Sequence, residues 1–514
     1  MESALTEGAA LREVISLLDE CFIAYFDAVT MHTLAEIRYF HDMTDEYYAE
    51  EYAYCSSAAS ELQQLVERLY TVCASSPLGA ELEGEYFWEG FMEEYGGDSA
   101  GVYTDRVVAL MQQEIELVSQ YYELSAAPTV SIDGEQVELQ AYLAEAEGTA
   151  YTRALYEYYR QYNPRFADIY IQLIRVRREL AAEMGFASYE ELTYSDYVRG
   201  YTPSDAADYM SAVKAHIVPV YREIMSDNPY YYIQYSAVSK QRLTDTVGEA
   251  VALLGGEAKE AFDFMLDRGL CDLSKSGVKA DISFTTYLDS YDVPYLFISP
   301  YGDTEDIVTF SHEFGHFLDS YHNHSGVGSL DLAECYSQAM EFFVMMKLEN
   351  VLDSREYSAL RQIKLLDTID TFISQSCYAE FESRVYTLDD DELTADNINA
   401  LFLSLMEEYG LCGNANAEYY AMSWIDITHF FTSPFYVISY VISNDAAMEL
   451  YQLECEQAGA GWDKYMEMLP REYDTLPETL NAAGLASPFA AGRAEALAAV
   501  FEAELIGKRS ELAA

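Results

Sequence analysis

The chain has 514 residues, of which 50% are hydrophobic, and a formal net charge of −59. This length and composition are typical of a folded globular protein, built as one large helical body or as two lobes, and they exclude a disordered chain. The strong negative charge argues against nucleic acid and anionic membrane surfaces as partners, because phosphate groups are bound by clustered Lys and Arg.

Neither a membrane span nor a secretory signal is predicted. No apolar stretch approaches the roughly 18 residues of a transmembrane helix, and residues 1–7 lack a positively charged segment and a cleavage site. We therefore expect a cytoplasmic protein. The eight cysteines form no C-x-x-C pair, so we expect reduced, mostly buried thiols and no zinc site built from cysteine.

Most of the chain has the three- and four-residue spacing of apolar side chains that is typical of amphipathic helices. Clear examples without Pro or Gly are residues 58–73, 103–124 and 166–184. The last helix is predicted to begin at Asn163-Pro164, because proline is favoured in the first turn of a helix. A short hairpin is predicted over residues 129–139.

The clearest strand pattern lies at residues 281–298. Partial alternation over 281–288, a turn at 289–292 and an apolar run at 293–298 predict a hairpin. Pro294 cannot donate a backbone hydrogen bond, so its strand either lies at an edge of a sheet or begins near this residue.

The pattern H-E-x-x-H follows, with His312, Glu313 and His316 as its polar members. Residues four apart lie on one face of a helix, so the two imidazoles can bind one metal ion while Glu313 faces a water molecule beside it. The alternative is two surface histidines on an amphipathic helix. Acidic residues at 303–306 predict the N-terminus of the helix, and its end is expected before Ser325.

A catalytic zinc ion takes three protein ligands and keeps one position open, so a third ligand is needed. A second helix is predicted over residues 331–341, with Asp331, Glu334 and Glu341 on roughly one face. Glu334 could be the acid of a capping box that begins at Asp331. Following H-E-x-x-H across a short turn, it is better interpreted as the third ligand, with Asp331 and Glu341 as acceptors that orient the imidazoles.

Two further histidines and one cysteine lie near these residues. His322 and His324 could be ligands in principle, but the turn that follows the helix is expected to leave both at the surface. Cys335 is adjacent to Glu334, yet it lies about 100° around the helix, so we interpret it as a packed thiol.

Several blocks together resemble the oligoendopeptidase F and thimet oligopeptidase family of zinc metallopeptidases. They are residues 311–316, 331–341 and 429–440, with a weaker block at 177–189. The resemblance implies a mostly α-helical, two-lobed body with a deep substrate channel and a small β-sheet beside the zinc helix. Turn residues at 126–128 and 147–148 bracket a possible junction between an N-terminal helical region, 1–150, and a catalytic region, 151–514.

The resemblance also implies that His429, Tyr436 and Tyr440 line the site and bind the substrate carbonyl or oxyanion. Independently, Ser433 and Pro434 suit the N-cap and first position of a helix, which would put the two tyrosines on one face. The alternative is that they are core aromatics in a tyrosine-rich chain.

The predicted function is a zinc-dependent endopeptidase that cleaves internal bonds of short oligopeptides, with one Zn²⁺ per chain and Glu313 as general base. The acidic residues are either a solvated coat or a cleft that attracts cationic peptides. The alternatives are a related helical zinc carboxypeptidase, a non-catalytic acidic peptide-binding protein, and a thiol hydrolase, for which no local cysteine signature exists. Oligomeric state and cleavage specificity are not predicted.

Overall fold

The computed structural model describes residues 9–96, 104–126, 128–227, 236–326, 328–413 and 416–507. Over these residues the protein is mostly α-helical with two small β-sheets, which confirms the predicted fold class. The deep channel stays a prediction. None of the described helices carries an apolar stretch long enough to cross a membrane.

The elements are numbered in chain order. The first group comprises α1 Leu11–His41, α2 Glu46–Ala74, α3 Gly79–Glu85, α4 Phe91–Tyr95, α5 Asp105–Ser125, β1 Thr129–Ile132, β2 Glu135–Glu138, α6 Leu139–Glu145, α7 Thr149–Glu183, α8 Tyr189–Asp196, α9 Pro203–Ala212 and α10 Val218–Ser226. The second group comprises α11 Lys240–Leu254, α12 Gly256–Arg268, β3 Cys271–Asp272, β4 Phe284–Leu288, β5 Val293–Phe297, α13 Glu305–Asn323, α14 Leu330–Leu348, α15 Ser354–Val385, α16 Ala395–Tyr409, α17 Ala417–Met422, α18 Thr428–Thr432, α19 Ile438–Glu456, α20 Ala460–Met468, α21 Leu476–Ala483 and α22 Arg493–Phe501.

The chain divides into two compact units. Unit one contains the described residues of 1–104, 235–328 and 340–357, and unit two contains those of 105–234, 329–339 and 358–514. Helix α14 therefore begins in unit two and ends in unit one. The boundary predicted near residue 150 stays a prediction.

Two of the predicted helices, 58–73 and 166–184, coincide with parts of α2 and α7, and the one over 103–124 corresponds to α5. Residue 103 lies outside the described residues. The predicted hairpin over 129–139 is confirmed as β1 paired antiparallel with β2.

The long helix predicted to begin at Asn163-Pro164 begins at Thr149 instead and runs through the proline to Glu183. The prediction of its start was therefore wrong. Proline inside a helix cannot donate its backbone hydrogen bond, which destabilises the helix locally. Asn163 is buried and exchanges two side-chain hydrogen bonds with Asn399, at 3.0 and 2.9 Å. Such tertiary contacts stabilise α7 at the proline, and local spacing does not reveal them.

Three strands of unit one form a sheet in the order β3-β5-β4. β4 and β5 are antiparallel and pair Phe284 with Phe297, which confirms the hairpin predicted over 281–298. β3 runs parallel to β5 and pairs with its end, at Leu296 and Phe297. Pro294 thus lies near the start of the central strand of the described sheet, before the two residues that pair with β3. In this sheet β4 is an edge strand.

The core of unit two is rich in aromatic side chains. Tyr170 of α7 and Trp424 are buried with ring centroids 5.3 Å apart, and Phe431 of α18 stacks on Trp424 at 5.9 Å. Burying one large apolar side chain contributes about 1.5–3 kcal/mol, so these contacts fix α18 firmly against α7.

All eight cysteines lie in the described residues as free thiols, as predicted. The expectation that most are buried was wrong, since Cys73, Cys335 and Cys377 are buried whereas Cys21 and Cys455 are exposed. An amphipathic helix has a solvent face as well as a core face, and the cysteine positions alone do not assign a residue to either.

Candidate metal centre and its surroundings

Helix α13 in unit one carries the H-E-x-x-H pattern. It begins at Glu305 and ends at Asn323, within the predicted limits. The buried Asp306 accepts hydrogen bonds from the backbone N–H groups of Tyr301 and Gly302, at 2.8 and 2.7 Å. These two bonds fix the chain that leads into the first turn of the helix.

His312 and His316 lie one turn apart on α13. Their ring centroids are 4.9 Å apart and their planes are inclined by 81°. Burial, and then the neighbouring His312, lower the pKa of His316 well below its ordinary value. A lowered pKa favours the neutral imidazole, which is the form that binds metal ions.

Glu341 lies on the part of α14 that belongs to unit one. Its Oε1 is 2.7 Å from Nδ1 of His312. An ionised carboxylate only accepts hydrogen bonds, so Nδ1 donates and carries the hydrogen. This is the contact expected of an acceptor that orients a ligand imidazole.

Glu313 is buried between its helix and the sheet of unit one. The Thr285 hydroxyl on β4 lies 2.9 Å from both the Glu313 carbonyl oxygen and its carboxylate oxygen Oε2. Thr285 was not among the site residues predicted from the sequence. The alternation within the predicted strand was a usable signal, but it did not specify which face of the strand would meet α13.

Glu334 lies on α14 two turns before Glu341 and is buried. The ligand atoms of His312, His316 and Glu334 all lie within 4.8 Å of one another. These are the three residues predicted as metal ligands.

Within unit two, Glu334 is held by two hydroxyl groups. The Tyr436 hydroxyl donates to its Oε1 at 2.7 Å, and the Ser337 hydroxyl lies 3.3 Å from Oε2. Burial, and then the charge of Glu334, raise the pKa of Tyr436 well above its ordinary value. The phenol therefore stays protonated and keeps donating to the carboxylate.

His429 and Tyr440 lie beside Tyr436 in unit two. The Tyr440 hydroxyl is 3.4 Å from Nε2 of His429. The ring centroid of Tyr436 is 5.3 Å from that of His429 and 5.1 Å from that of Tyr440. Burial lowers the pKa of His429, so its imidazole is neutral near neutral pH. The three residues that the resemblance singled out therefore form one cluster.

The prediction that Ser433 and Pro434 start a helix was wrong. Helix α19 begins at Ile438, and the preceding turn contains Phe435 with φ +60°. Tyr436 therefore precedes the helix while Tyr440 lies within it. Their rings meet because of the turn, and not because of the four-residue spacing on a helix face.

Asp331 is fully buried at the start of α14. Its Oδ1 lies 3.9 Å from Nε of Arg199 and 3.4 Å from the Tyr201 hydroxyl, all within unit two. Its predicted role toward a ligand imidazole stays a prediction. Neither Arg199 nor Tyr201 was singled out from the sequence, because nothing in the local pattern connects them to residues more than a hundred positions later.

His322 and His324 lie outside the cluster of candidate ligands. Nδ1 of His322 is 2.8 Å from Glu257, and His324 lies at the surface, 3.2 Å from Asp292. Cys335 is a buried thiol whose pKa is raised by burial, as expected of a packed side chain.

The fold of the whole chain is that of known peptidases. A structure of PZ peptidase A with inhibitor 2 has a TM-score of 0.82 and 22% identity over 98% of this chain and 95% of that one. Two family models match the sequence: peptidase family M3 over residues 263–496, and the peptidase M3 N-terminal domain over residues 2–92. Together they span more than half of the chain. The chain belongs to peptidase family M3, which confirms the resemblance noted from the sequence.

Two curated relatives carry names of the same kind. The oligoendopeptidase F homolog of Borreliella burgdorferi is 25% identical over 206 residues, which are 37% of this chain and 34% of that protein. Oligopeptidase PepF of Bacillus subtilis is 22% identical over 283 residues, which are 53% of this chain and 41% of that protein. Both alignments span less than half of the relative's length.

Proposed function

We propose that this protein is a zinc-dependent oligopeptidase that hydrolyses internal bonds of short peptides. The observation that carries the proposal is the set His312, His316 and Glu334, whose ligand atoms lie within 4.8 Å of one another, with Glu313 on the same helix as the two histidines. The family models and the names of both curated relatives support peptide substrates.

The donor set fits a catalytic zinc ion. Two ligand atoms of a tetrahedral site that are each about 2.1 Å from zinc lie about 3.4 Å apart, so movements of less than about 1 Å per atom would complete the site. With Nδ1 of His312 bonded to Glu341, Nε2 is the atom that would bind the metal. Three protein ligands leave a position open, and a bound zinc ion would supply Lewis acidity and water activation there.

Glu313 would act as the general base. Its carboxylate would take a proton from the attacking water and later deliver that proton to the leaving amine. The Thr285 hydroxyl, 2.9 Å from Oε2, would hold the carboxylate in one orientation during both transfers. Because Glu313 follows His312 directly on α13, its distance from the ligand set is fixed by the helix.

The cluster in unit two would serve the substrate carbonyl. The Tyr440 hydroxyl and the His429 imidazole, 3.4 Å apart, would donate hydrogen bonds to the developing oxyanion. Tyr436 would have a different task, since its hydroxyl already donates to Glu334. It would orient this ligand and withdraw some of its charge.

Metal content and peptide cleavage, measured together with and without a chelator, test the proposal. A peptide library with cationic and anionic members also shows whether the negative charge of the chain selects its substrates. We expect one zinc per chain and chelator-sensitive internal cleavage. Trimming from the C-terminus alone would favour the carboxypeptidase alternative. Bound zinc without cleavage would favour a peptide-binding protein, and a lack of metal would remove the proposal.

A further inference from the structure

The turn before α19 contains a residue in an unfavourable backbone conformation. Phe435 has φ +60°, in the left-handed region that a bulky side chain rarely adopts. Its ring is nevertheless buried, with centroids 4.9 Å from Tyr386 and 6.4 Å from Tyr189. A residue in such a conformation costs about 1–3 kcal/mol and persists only where surrounding contacts fix it.

Both backbone groups of Phe435 are held by ionisable side chains from elsewhere in unit two. Its N–H donates to the two carboxyl oxygens of Glu382, at 3.0 and 3.1 Å. Its carbonyl oxygen accepts from a terminal nitrogen of Arg199 at 2.7 Å. Glu382 is fully buried and the side chain of Arg199 is 0% exposed. These three contacts fix the peptide groups on both sides of the residue.

Arg199 makes two further contacts at the candidate site. Its guanidinium donates to the Ser439 hydroxyl at 2.8 Å, next to Tyr440. Its Nε lies 3.9 Å from Asp331, one helical turn before Glu334 on α14. The buried Arg199 guanidinium therefore contacts both the turn before α19 and the start of α14, the helix that carries the candidate metal ligand Glu334.

The segment that carries Arg199 is itself strained. Val198 has φ +53°, and a β-branched residue in this region is a clear outlier. The hydrogen bond from Arg199 to the Phe435 carbonyl oxygen thus has an outlier at each end. Val198 precedes its donor residue, and Phe435 is its acceptor residue. Strained residues of this kind cluster at functional sites, where they help to fix a geometry.

The contacts of Arg199 stabilise the fold less than an apolar side chain at this position would. Nε and Nη1 find no hydrogen-bond partner within the described residues. A buried donor that is left without a partner costs about 1–3 kcal/mol, and an apolar side chain would avoid this cost. The ring centroids of Tyr194 and Tyr197 lie 4.3 and 5.1 Å from the guanidinium, and these cation–π contacts offset part of that cost.

We propose that Arg199 and Glu382 are positioning residues that hold Phe435 in its left-handed conformation and thereby place the Tyr436 hydroxyl where it donates to Glu334. Tyr436 follows Phe435 directly, so a change at the turn moves the phenol that donates to Glu334 at 2.7 Å. The catalytic consequence rests on the proposed function, whereas the positioning is a property of unit two alone.

The experiment uses the full chain with variants Arg199→Met, Glu382→Leu and Glu382→Gln. The amide of Glu382→Gln keeps an oxygen that can accept from the N–H of Phe435, so this variant is the conservative rescue of Glu382→Leu. Arg493→Met is the matched control, because it also removes an arginine of unit two whose side chain is 8% exposed and which pairs with Asp445 at 2.5 Å.

Deuterium exchange of peptides over 433–440 is the first readout. We expect exchange at least tenfold faster in Arg199→Met and Glu382→Leu than in Arg493→Met, with Glu382→Gln near the starting protein. Equal exchange in the variants and the control would overturn the positioning. This arm needs no activity, so it decides the inference even if the starting protein cleaves no peptide.

Kinetics are the second readout. We expect kcat to fall about 10- to 100-fold in Arg199→Met, because misplacing a group by about 1 Å costs up to this factor, with a smaller change in KM. In a Tyr436→Phe/Tyr440→Phe background the same substitution should have little further effect, since residues that act as a unit are not additive. An equal loss in both backgrounds would overturn the inference. If Arg199→Met does not fold, the Glu382 pair carries the same test.

Discussion

The two halves of the candidate site are built in different ways. In unit one, His312, Glu313 and His316 lie on a regular helix, and their mutual distances follow from helical geometry. In unit two, His429, Tyr436 and Tyr440 come from a five-residue helix, an irregular turn and the first turn of another helix. The first half is local in sequence, whereas the second depends on side chains from distant segments.

The two halves are therefore sensitive to substitutions in different places. Substitutions on α13 act directly on a ligand or base, because the helix itself needs no special conformation there. The turn of unit two can be disturbed from outside, since Phe435 keeps its φ of +60° with the help of Arg199 and Glu382. Four substitutions, ordered by the size of the expected effect, test this contrast.

Glu313→Gln addresses the helical half directly. We expect unchanged metal content and a loss of kcat of about 10²- to 10⁴-fold, because an amide cannot accept the proton of the attacking water. Steady-state cleavage of a fluorogenic peptide and metal analysis measure both. Glu305→Gln in the first turn of the same helix is the control and should keep its rate. Near-normal turnover of Glu313→Gln would remove the general base from the proposal.

Tyr440→Phe addresses the half that depends on the turn. Removing one donor to an oxyanion costs about 10²- to 10³-fold in kcat, and zinc content should not change. Tyr451→Phe removes a phenol from the same helix at a site away from the cluster and is the control. If the rate of Tyr440→Phe equals that of Tyr451→Phe, the oxyanion role belongs to other groups.

Glu341→Leu tests whether the helical half extends to its orienting carboxylate, whose Oε1 lies 2.7 Å from Nδ1 of His312. Loss of such an acceptor weakens metal affinity about 10- to 100-fold. Competition with a chromogenic chelator measures this, and Glu349→Leu just beyond α14 serves as the comparison. Equal zinc affinities for the two variants would show that His312 is oriented by other contacts.

Glu382→Gln is expected to have the smallest effect of the four, a change in how the stability of the protein depends on pH. Burial raises the pKa of Glu382 from 4.5 to about 8, so the folded protein holds a proton in this window that the unfolded chain releases. This acid therefore makes the folded state less stable as pH rises from about 5 to 8. We expect Glu382→Gln to flatten this decline of Tm.

The exposed Glu456→Gln is the control for Glu382→Gln and should leave the slope of Tm against pH as it is. A slope for Glu382→Gln that matches the one for Glu456→Gln would mean that Glu382 titrates near its ordinary value. In that case the carboxyl group is ionised at neutral pH and the turn is held by two full charges.

The helical half of the site could be predicted in detail. The spacing of His312 and His316 specifies one helix face, and the acids at 303–306 indicate where α13 begins, which the structure bears out. Glu334 was found as a polar residue at helical spacing after a short turn. Thr285 was missed, because a partly alternating strand does not state which side chains will meet the neighbouring helix.

The other half was recognised by resemblance, and its local structure was predicted wrongly. Ser433 and Pro434 have the composition of a helix start, yet the chain enters α19 only at Ile438. The start of α7 was misplaced for a similar reason, since Pro164 lies inside that helix. In both places tertiary contacts, to Arg199 and Glu382 or to Asn399, outweigh a local preference of about 1–3 kcal/mol.

The sequence by itself determined the helical class and the metal-binding pattern, because these depend on periodicity and on residues a few positions apart, and its resemblance to a known family indicated a peptidase. Only the tertiary structure decided how Phe435 is held, which hydroxyl groups contact Glu334 and Glu313, and what faces Asp331. Apart from the Ser337 hydroxyl, which lies three residues from Glu334, those contacts join segments tens to hundreds of residues apart. Their energies come from burial and hydrogen bonding that local spacing does not encode.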